Sequence, residues 1–221
     1  MHTPSRHFPP TRLAFVLAVG LATCRSAERI RIPEIGVVRA SDGRVAFIRA
    51  TPDRVVSTSL GDEQATELWI ADSNGTHARR LLTGIASDSA ERTLAAFSSP
   101  QFSPDGRRIY VLSRAWVTSD AVHAIDVASG REWFVAPGNS LVVIPRGPLA
   151  GCLLVGQHRY RPNEGGSYDW TWLLGTDGQE ITLAATDFAG ADRRLAMWIN
   201  GQIPEGAFDV SRAPPSNERC K

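Results

Sequence analysis

The residues best suited to recognition chemistry lie in one stretch, His158-Arg159-Tyr160-Arg161, which the loop 162–167 follows with its Gly-Gly tip. The stretch predicts a basic and aromatic hairpin, and binding residues are often carried by such loops. We therefore predict a contact surface for a partner at Arg159, Tyr160 and Arg161. The alternative is an ordinary hairpin whose charged side chains are only solvated.

A second candidate for this surface is Trp116, which lies with Arg114 in the segment 114–121. This segment occupies the matching position of another repeat, as the turn spacing below indicates. If the two repeats are adjacent in the fold, Trp116 would neighbour the hairpin and extend its contact surface.

Three aromatic residues alternate along the next segment, at Tyr168, Trp170 and Trp172. Alternate residues of a strand project to the same face, so the three rings would form one row. Such a row could stack on a sugar or a peptide. It could equally be core between two sheets, since aromatic rings carry a large buried area. Both interpretations stay open at the level of sequence.

Motifs for catalysis or metal binding are not found in the sequence. It contains no GxSxG nucleophile motif and no CxxC, HxH or HExxH spacing. His77, His123 and His158 fall in different repeats and at different phases. We predict no catalytic residue, no metal site and no cofactor. The alternative is a lyase or hydrolase that acts on glycans with the aromatic row and a His or Asp.

The first 23 residues predict export. Arg6 and Arg12 precede a ten-residue apolar segment at 13–22, which is too short to span a bilayer and has the layout of a secretory signal. Cys24 follows Leu-Ala-Thr and resembles the lipidated cysteine of a bacterial lipobox, although Thr departs from the usual residue before it. The alternative is ordinary cleavage nearby. We predict a periplasmic or outer-membrane-associated protein that touches the membrane only through a lipid on Cys24.

The net charge argues against one class of partner, and the cysteine content predicts a disulfide. The 221 residues carry a formal net charge of +1, which argues against a nucleic-acid surface. Cys152 and Cys220 are the two cysteines outside the leader region, and exported proteins retain disulfides. A bridge between them is predicted. The alternative is one buried cysteine and one free cysteine in a loose tail.

Turn dipeptides recur through the chain between strand-like runs. Asn74-Gly75, Ser129-Gly130 and Asp177-Gly178 are 55 and 48 residues apart, and similar runs flank each of them. A second series lies between them, at Asp42-Gly43, at Asp105-Gly106 and at 148–151. Two turns per repeat predict four-stranded antiparallel units of about 40–50 residues, which must stack to bury their faces.

The segments 67–84 and 102–113 (FSPDGRRIYVLS) resemble the β-propeller repeat of the TolB-like, WD40-like family. The resemblance implies a binding scaffold, often periplasmic, with no catalytic residue in the repeat itself. The predicted fold class is all-β, a β-propeller-like stack of about three to four antiparallel four-stranded blades that need not close. The repeat domain would occupy 28–186, and 187–221 would form a closing segment and a loose tail, with a last strand at 207–210.

These observations predict an exported cell-envelope protein that binds another protein or an envelope component. Two other functions stay open. One is the glycan-acting enzyme described above, and the other is a degenerate propeller with a purely structural role.

Overall fold

The computed structural model describes residues 29–33, 36–186, 193–208 and 217–220, so the predicted signal segment 1–23 and the predicted lipidation at Cys24 lie outside the described residues. The described chain is almost entirely β-structure. Its strands are β1 (Val37–Arg39), β2 (Val45–Thr58), β3 (Gly61–Ala71), β4 (Arg79–Thr83), β5 (Ser98–Phe102), β6 (Arg108–Arg114), β7 (Asp120–Asp126), β8 (Glu132–Pro137), β9 (Ser140–Val143), β10 (Leu153–Tyr160), β11 (Ser167–Leu174) and β12 (Glu180–Ala185). The helix α1 (Arg193–Ile199) follows, and short 3-10 turns lie at Ala90–Arg92 and Asn217–Cys220.

The strands form three antiparallel four-stranded sheets, each in chain order: sheet 1 is β1 to β4, sheet 2 is β5 to β8 and sheet 3 is β9 to β12. The first strands of the three sheets lie side by side, since β5 contacts both β1 and β9. Gln101 of β5 fixes one of these contacts, because its amide donates to the Leu141 carbonyl and accepts from the Val143 N–H at 2.9 Å. Sheets that radiate from adjoining first strands have the arrangement of propeller blades. The predicted fold class is therefore confirmed, with three sheets in the described residues.

The turns that mark the repeat carry a common hydrogen-bond pattern. The Asp105 carboxylate accepts from the Arg107 N–H at 3.1 Å, and Asn74 and Asp177 accept in the same way from the residues two positions later. Gly106 follows Asp105 at φ +67°, a conformation that glycine adopts without a steric penalty. Hydrogen bonds from the Ser129 hydroxyl and N–H lower the pKa of Asp126. These local bonds explain why the turns were readable from sequence.

The two central strands of the middle sheet, β6 and β7, pack apolar residues on both faces, because sheet 2 lies between the other two. Ile109 and Val111 of β6 join Leu68 and Ile70 of β3 in the core between sheets 1 and 2. The alternate residues of β6 lie in the core between sheets 2 and 3, together with residues of β9 to β11: Tyr110, Leu112, Leu141, Val143, Leu153, Val155 and Leu174. Stacking thus buries both faces, as the repeat predicted.

The outer faces of sheets 1 and 3 are covered by segments that are not strands. Ile30 and Ile32 pack on the face of sheet 1 that carries Val45 and Phe47. On sheet 3, a group that we call the C-terminal cap covers the outer face, and it consists of α1 with residues 200–208 and 217–220. Because both outer faces are occupied in this way, sheets 1 and 3 do not pack on each other, and the described residues do not form a closed propeller.

A disulfide joins the C-terminal cap to sheet 3. It links Cys152, beside β10, to Cys220 across a Cα–Cα distance of 4.4 Å. The segment 217–220 therefore lies on the sheet, although the sequence had predicted a loose tail there. The predicted strand at 207–210 is not formed in its described part, since Ala207 and Phe208 lie in a turn, and Asp209 and Val210 lie outside the described residues.

The hairpin of β2 and β3 is longer than the sequence indicated. The two strands stay paired beyond the sheet as far as Thr58 and Gly61. Val56 anchors this extension by packing with Ala65 and Ala95. The sequence indicated a strand only at 45–48, because the polar residues that follow carry no apolar pattern and are held by their own cross-strand partners.

Close packing between sheets predicts the effect of one glycine substitution. Gly178 lies at φ +79° in the β11–β12 turn, and a Cβ there would overlap the Val135 carbonyl of sheet 2. Gly178→Ala is expected to lower the free energy of unfolding by about 2–3 kcal/mol, from the left-handed backbone and the overlap together.

Gly43→Ala is the matched control, because Gly43 has φ +87° and nothing within 4 Å of the added Cβ. It should cost about 1–2 kcal/mol from the backbone conformation alone. Urea unfolding of both variants measures the difference, and equal losses would contradict the proposed overlap.

Candidate functional site

The β10–β11 hairpin positions the predicted binding residues by its register. Arg159 pairs with Tyr168 and Tyr160 pairs with Ser167 across the two strands. The Arg161 N–H donates to the Gly166 carbonyl at 3.0 Å and closes the loop. Because side chains alternate along a strand, this register places Arg159 and Arg161 on the same face as the aromatic row.

The arginines and the aromatic row interleave. The Arg159 guanidinium lies 4.2 Å from the ring centroid of Trp172, and the Arg161 guanidinium lies 5.7 Å from that of Tyr168. Trp170 lies between these two rings, with centroid distances of 4.3 Å to Tyr168 and 6.3 Å to Trp172. Within the described residues, no guanidinium covers the ring of Trp170. Cation–π contacts of this kind hold arginine side chains in place at a partly exposed surface.

The two arginines differ in how many acceptors their guanidinium N–H groups already contact. Arg159 donates to Glu180 at 2.5 Å and to the Gln157 amide oxygen at 2.9 Å, and its side chain is 28% exposed. Arg161 has one ion pair among the described residues, at 3.7 Å to Glu164, and its side chain is 47% exposed. Arg159 is thus held as part of the sheet surface, whereas Arg161 retains N–H donors for a ligand.

A cavity of about 440 Å³ opens beside these residues, and we call it the hairpin cavity. Its size lies in the range of small-molecule sites. Its walls come from the end of β10, the following loop and the aromatic row: Tyr160, Arg161, Pro162, Asn163, Glu164, Tyr168 and Trp170. The hairpin cavity therefore combines aromatic faces with one cation, one carboxylate and one amide.

Tyr160 makes different contacts from the two arginines on either side of it. Its ring packs perpendicular to His158 at 5.1 Å, and the His158 Nδ1 lies 2.8 Å from an Asp169 oxygen. The Tyr160 hydroxyl lies 3.5 Å from the Thr118 hydroxyl of sheet 2. The structure thus brings Arg161 and Tyr160 to the same cavity, while Arg159 packs over the ring of Trp172 and lines a separate, neighbouring cavity.

Trp116 lies on the neighbouring loop but outside the hairpin cavity. Its ring packs edge-on against Phe134 at 6.2 Å, within sheet 2. The loop itself does reach the hairpin, through the contact between Thr118 and Tyr160. Burial raises the pKa of the Asp120 carboxyl group at the end of this loop. The positive charge of Arg114 opposes the rise, and the negative charge of Glu63 adds to it. The two loops therefore lie side by side, whereas the Trp116 ring packs within its own sheet and does not extend the hairpin surface.

The aromatic row divides between the two roles that the sequence left open. Trp172 packs against the core between sheets 2 and 3, whereas Tyr168 and Trp170 line the hairpin cavity. Sequence reasoning did not single out Asn163, Glu164 or Glu180 as neighbours of the arginines. The available signal for Asn163 and Glu164 was their position in the loop between Arg161 and Ser167. Glu180 had no such local signal, because it lies on β12.

The three histidines that the structure describes do not converge. His77 pairs with Asp72, His123 with Glu132 and His158 with Asp169, one pair in each sheet. Among the described residues, no three His, Cys, Asp or Glu side chains are grouped as metal ligands would be. In the same part of the chain, no helix has the length and apolar character to cross a membrane.

Comparison with known proteins gives similarity in fold only. No protein-family model and no curated protein matches the chain. Among solved structures, the β-propeller domain of the Trilobed protease from Pyrococcus furiosus is 14% identical with a TM-score of 0.41, over 65% of this chain and 40% of that one. TolB from Acinetobacter baumannii is 19% identical with a TM-score of 0.41, over 68% of this chain and 33% of that one.

The Pyrococcus horikoshii acylaminoacyl peptidase is 16% identical with a TM-score of 0.41, over 65% of this chain and 23% of that one. The chain thus spans less than half the length of each of the three proteins. Propellers are among the structures that it resembles, as the sequence pattern predicted, and its own three sheets establish the propeller-like fold.

Proposed function

We propose that the chain is an exported binding protein of the bacterial cell envelope, and that it holds its partner at the hairpin cavity. The observation that carries the proposal is the combination of half-buried aromatic rings that line a cavity and a partly free arginine at the end of a paired strand. Arginine and aromatic residues dominate binding energy where they cluster. The predicted export segment at 1–23 supports a location outside the cytoplasm, in the periplasm or at the outer membrane.

A rigid support favours binding at this position. Both strands of the hairpin are anchored in sheet 3 at their far ends from the loop, where β9 pairs with 153–156 of β10 and β12 pairs with 171–174 of β11. Arg159 adds support through its bonds to Gln157 and Glu180 and its packing on Trp172. A site that is already ordered loses less conformational entropy when its partner binds. The partner class is a protein or another envelope component.

Capture of a partner from envelope extract by the immobilised chain tests the proposal. Arg161→Ala combined with Trp170→Ala is expected to weaken binding of the captured partner at least tenfold, since both side chains line the cavity. The partner is identified by mass spectrometry, purified and titrated against each variant.

Arg92→Ala is the matched control, because Arg92 is 69% exposed, pairs only locally with Asp88 and lies in the loop before β5. It should leave the affinity within twofold of the unsubstituted chain. Equal affinity of the double variant and the control would overturn the assignment of the site.

A further inference from the structure

We infer that the outer half of β11 receives an extended, acidic segment of a partner protein, which adds to the strand edge at 167–170 as a further antiparallel strand. This inference rests on the proposed binding function and names the form and chemistry of the partner. It follows from an open strand edge, from the lack of features that protect such an edge, and from the aromatic and basic side chains beside it.

The β10–β11 hairpin extends beyond its neighbouring strands. Its two strands pair without a register shift along their whole length. However, β9 pairs only with 153–156 of β10, and β12 pairs only with 171–174 of β11. Within the part of the chain that the structure describes, 157–160 and 167–170 therefore have no strand on their outer sides. Thr186, directly after β12, lies in a bend, so the extended conformation of that strand has ended there.

The two open edges differ in what lies beside them. Sheet 2 lies against the β10 edge, where the Gln157 amide donates to the Pro137 carbonyl at 2.7 Å and the Tyr160 hydroxyl approaches the loop between β6 and β7. On the β11 edge, Ser167 and Asp169 are exposed. The β11 edge is therefore the more accessible of the two.

The hydrogen-bond register determines which backbone groups face the β11 edge. The Arg161 N–H donates to the Gly166 carbonyl, so these residues form a hydrogen-bonded pair. In an antiparallel ladder, such pairs alternate with pairs whose N–H and carbonyl groups point outward. Counting from Gly166, Ser167 and Asp169 belong to the outward pairs. The edge thus presents the N–H and the carbonyl of both residues, which an extended backbone can bond.

The β11 edge lacks the features that protect a strand edge from pairing. Natural edges are protected by proline, lysine or a bulge. The β2–β3 hairpin also extends beyond its sheet, but on β2 the register shifts between Ala50 and Val55, and Pro52 lies within this irregular stretch. The segment 167–170 has no proline, lysine or register shift against β10, and Asp169 is its one charged residue. The β11 edge is therefore suited to strand addition, whereas the β2 edge is not.

The aromatic side chains at this edge favour apolar residues of the partner. Tyr168 and Trp170 line the hairpin cavity and pack on each other at 4.3 Å between ring centroids. Alternate residues of an added strand project to the same face as these rings and lie directly beside them. Apolar side chains at those positions would bury area against both rings.

Arg161 favours an acidic residue on the same face. Its guanidinium lies over the Tyr168 ring, and its ion pair with Glu164 is long, at 3.7 Å, with both side chains exposed. Exposed pairs of this kind contribute little to stability. A glutamate of the added strand, level with Tyr168, can therefore replace Glu164 on the guanidinium and bind it with two hydrogen bonds.

A second copy of the chain is a poorer occupant, because self-pairing brings like charges together. If two β11 edges paired about Tyr168, the Arg161 guanidinium groups over both tyrosines would meet on one face. If they paired about Asp169, the two carboxylates would lie opposite each other. Like charges directly opposite across two strands are destabilising. The edge therefore fits an acidic segment of another protein.

Calorimetric and NMR titration of the full chain with synthetic peptides tests the inference. The probe is acetyl-Thr-Val-Thr-Glu-Thr-Val-Thr-amide, whose valine and glutamate side chains share one face of a strand. We expect it to bind about tenfold more tightly than the same peptide with lysine in place of glutamate, since only glutamate pairs with Arg161. Proline in place of the two threonines beside the glutamate should weaken binding about tenfold, because those residues supply N–H groups to the edge.

Asp169→Pro tests the edge from the side of the protein. It removes an outward N–H without removing a bond between β10 and β11, and edge strands tolerate proline in that position. It should weaken the glutamate peptide about tenfold. Asp169→Ala is the matched control, since it removes the same carboxylate but keeps the N–H, and it should leave the affinity within about twofold. Arg161→Gln should bring the glutamate and lysine peptides to equal affinity.

Failure of the glutamate peptide to bind, or equal affinity of the glutamate and proline peptides, would overturn the inference whatever the stability of Asp169→Pro. A dimer of the free chain that Asp169→Pro dissociates in analytical ultracentrifugation would overturn it too, because a second copy would then occupy the edge. Partner capture is tested separately by the Arg161 and Trp170 double variant. Peptide binding that meets these expectations, alongside capture that ignores the cavity, would overturn the proposed function alone.

Discussion

Replacing both bridged cysteines, Cys152→Ala with Cys220→Ala, is expected to lower the free energy of unfolding by about 4 kcal/mol. The bridge joins residues 68 positions apart, so it removes a large amount of chain entropy from the unfolded state. It also ties the C-terminal cap to sheet 3, where Cys152 is fully buried and Cys220 is 4% exposed. The loss should therefore affect the whole cap rather than a local contact.

Urea unfolding with and without a reducing agent measures this loss. For an m-value of about 2 kcal/mol/M, the midpoint should fall by about 2 M. Reduction should lower the midpoint of the unsubstituted chain by a similar amount and leave the double variant unchanged. A double variant with the midpoint of the oxidised chain would show that the bridge does not constrain folding.

Trp198→Ala is expected to cost about 3–5 kcal/mol, the range for removing a large aromatic side chain from a core. Trp198 is the buried residue of α1 at 1% exposure, and it packs with Leu154, Leu173 and Ala184 on the outer face of sheet 3. Its indole N–H donates to the Ala184 carbonyl at 3.3 Å. The substitution would remove both the packing and the hydrogen bond that hold the helix on the sheet.

Trp170→Ala provides the matched control on the same sheet, since Trp170 is half-buried and lines a cavity rather than a core. It should cost about 1 kcal/mol, within the range of substitutions outside the core. The two midpoints in urea are compared directly. A Trp198→Ala variant no less stable than Trp170→Ala would contradict a structural role for the C-terminal cap.

The hairpins of the fold could be predicted from the sequence because their causes are local. Asp-Gly and Asn-Gly turns carry their own hydrogen bonds, as Asp105 and Asn74 show, and the apolar runs beside them alternate. The long β2–β3 hairpin could not be predicted in the same way. Its outer half is held by cross-strand pairing and by the packing of Val56 on Ala65 and Ala95, which no local pattern reveals.

The candidate site was predictable in part. The basic and aromatic residues near Arg159 and Arg161 were evident, because residue type alone suggested them. The separate roles of the two arginines could not be predicted. They depend on Glu180 from a third strand and on the pairing register of β11 with β10. The role of Trp116 could not be predicted for the same reason, because pairing between β7 and β8 brings its partner Phe134 near.

The two covered outer faces decide how many sheets the stack can hold. A further sheet could join only by displacing Ile30 and Ile32 from sheet 1 or the helix from sheet 3. These two segments thus cover the outer faces of the stack, in the way that capping repeats cover the ends of a solenoid. Unfolding of such a stack is cooperative because of the two interfaces on either side of sheet 2. We therefore expect the middle sheet to unfold last.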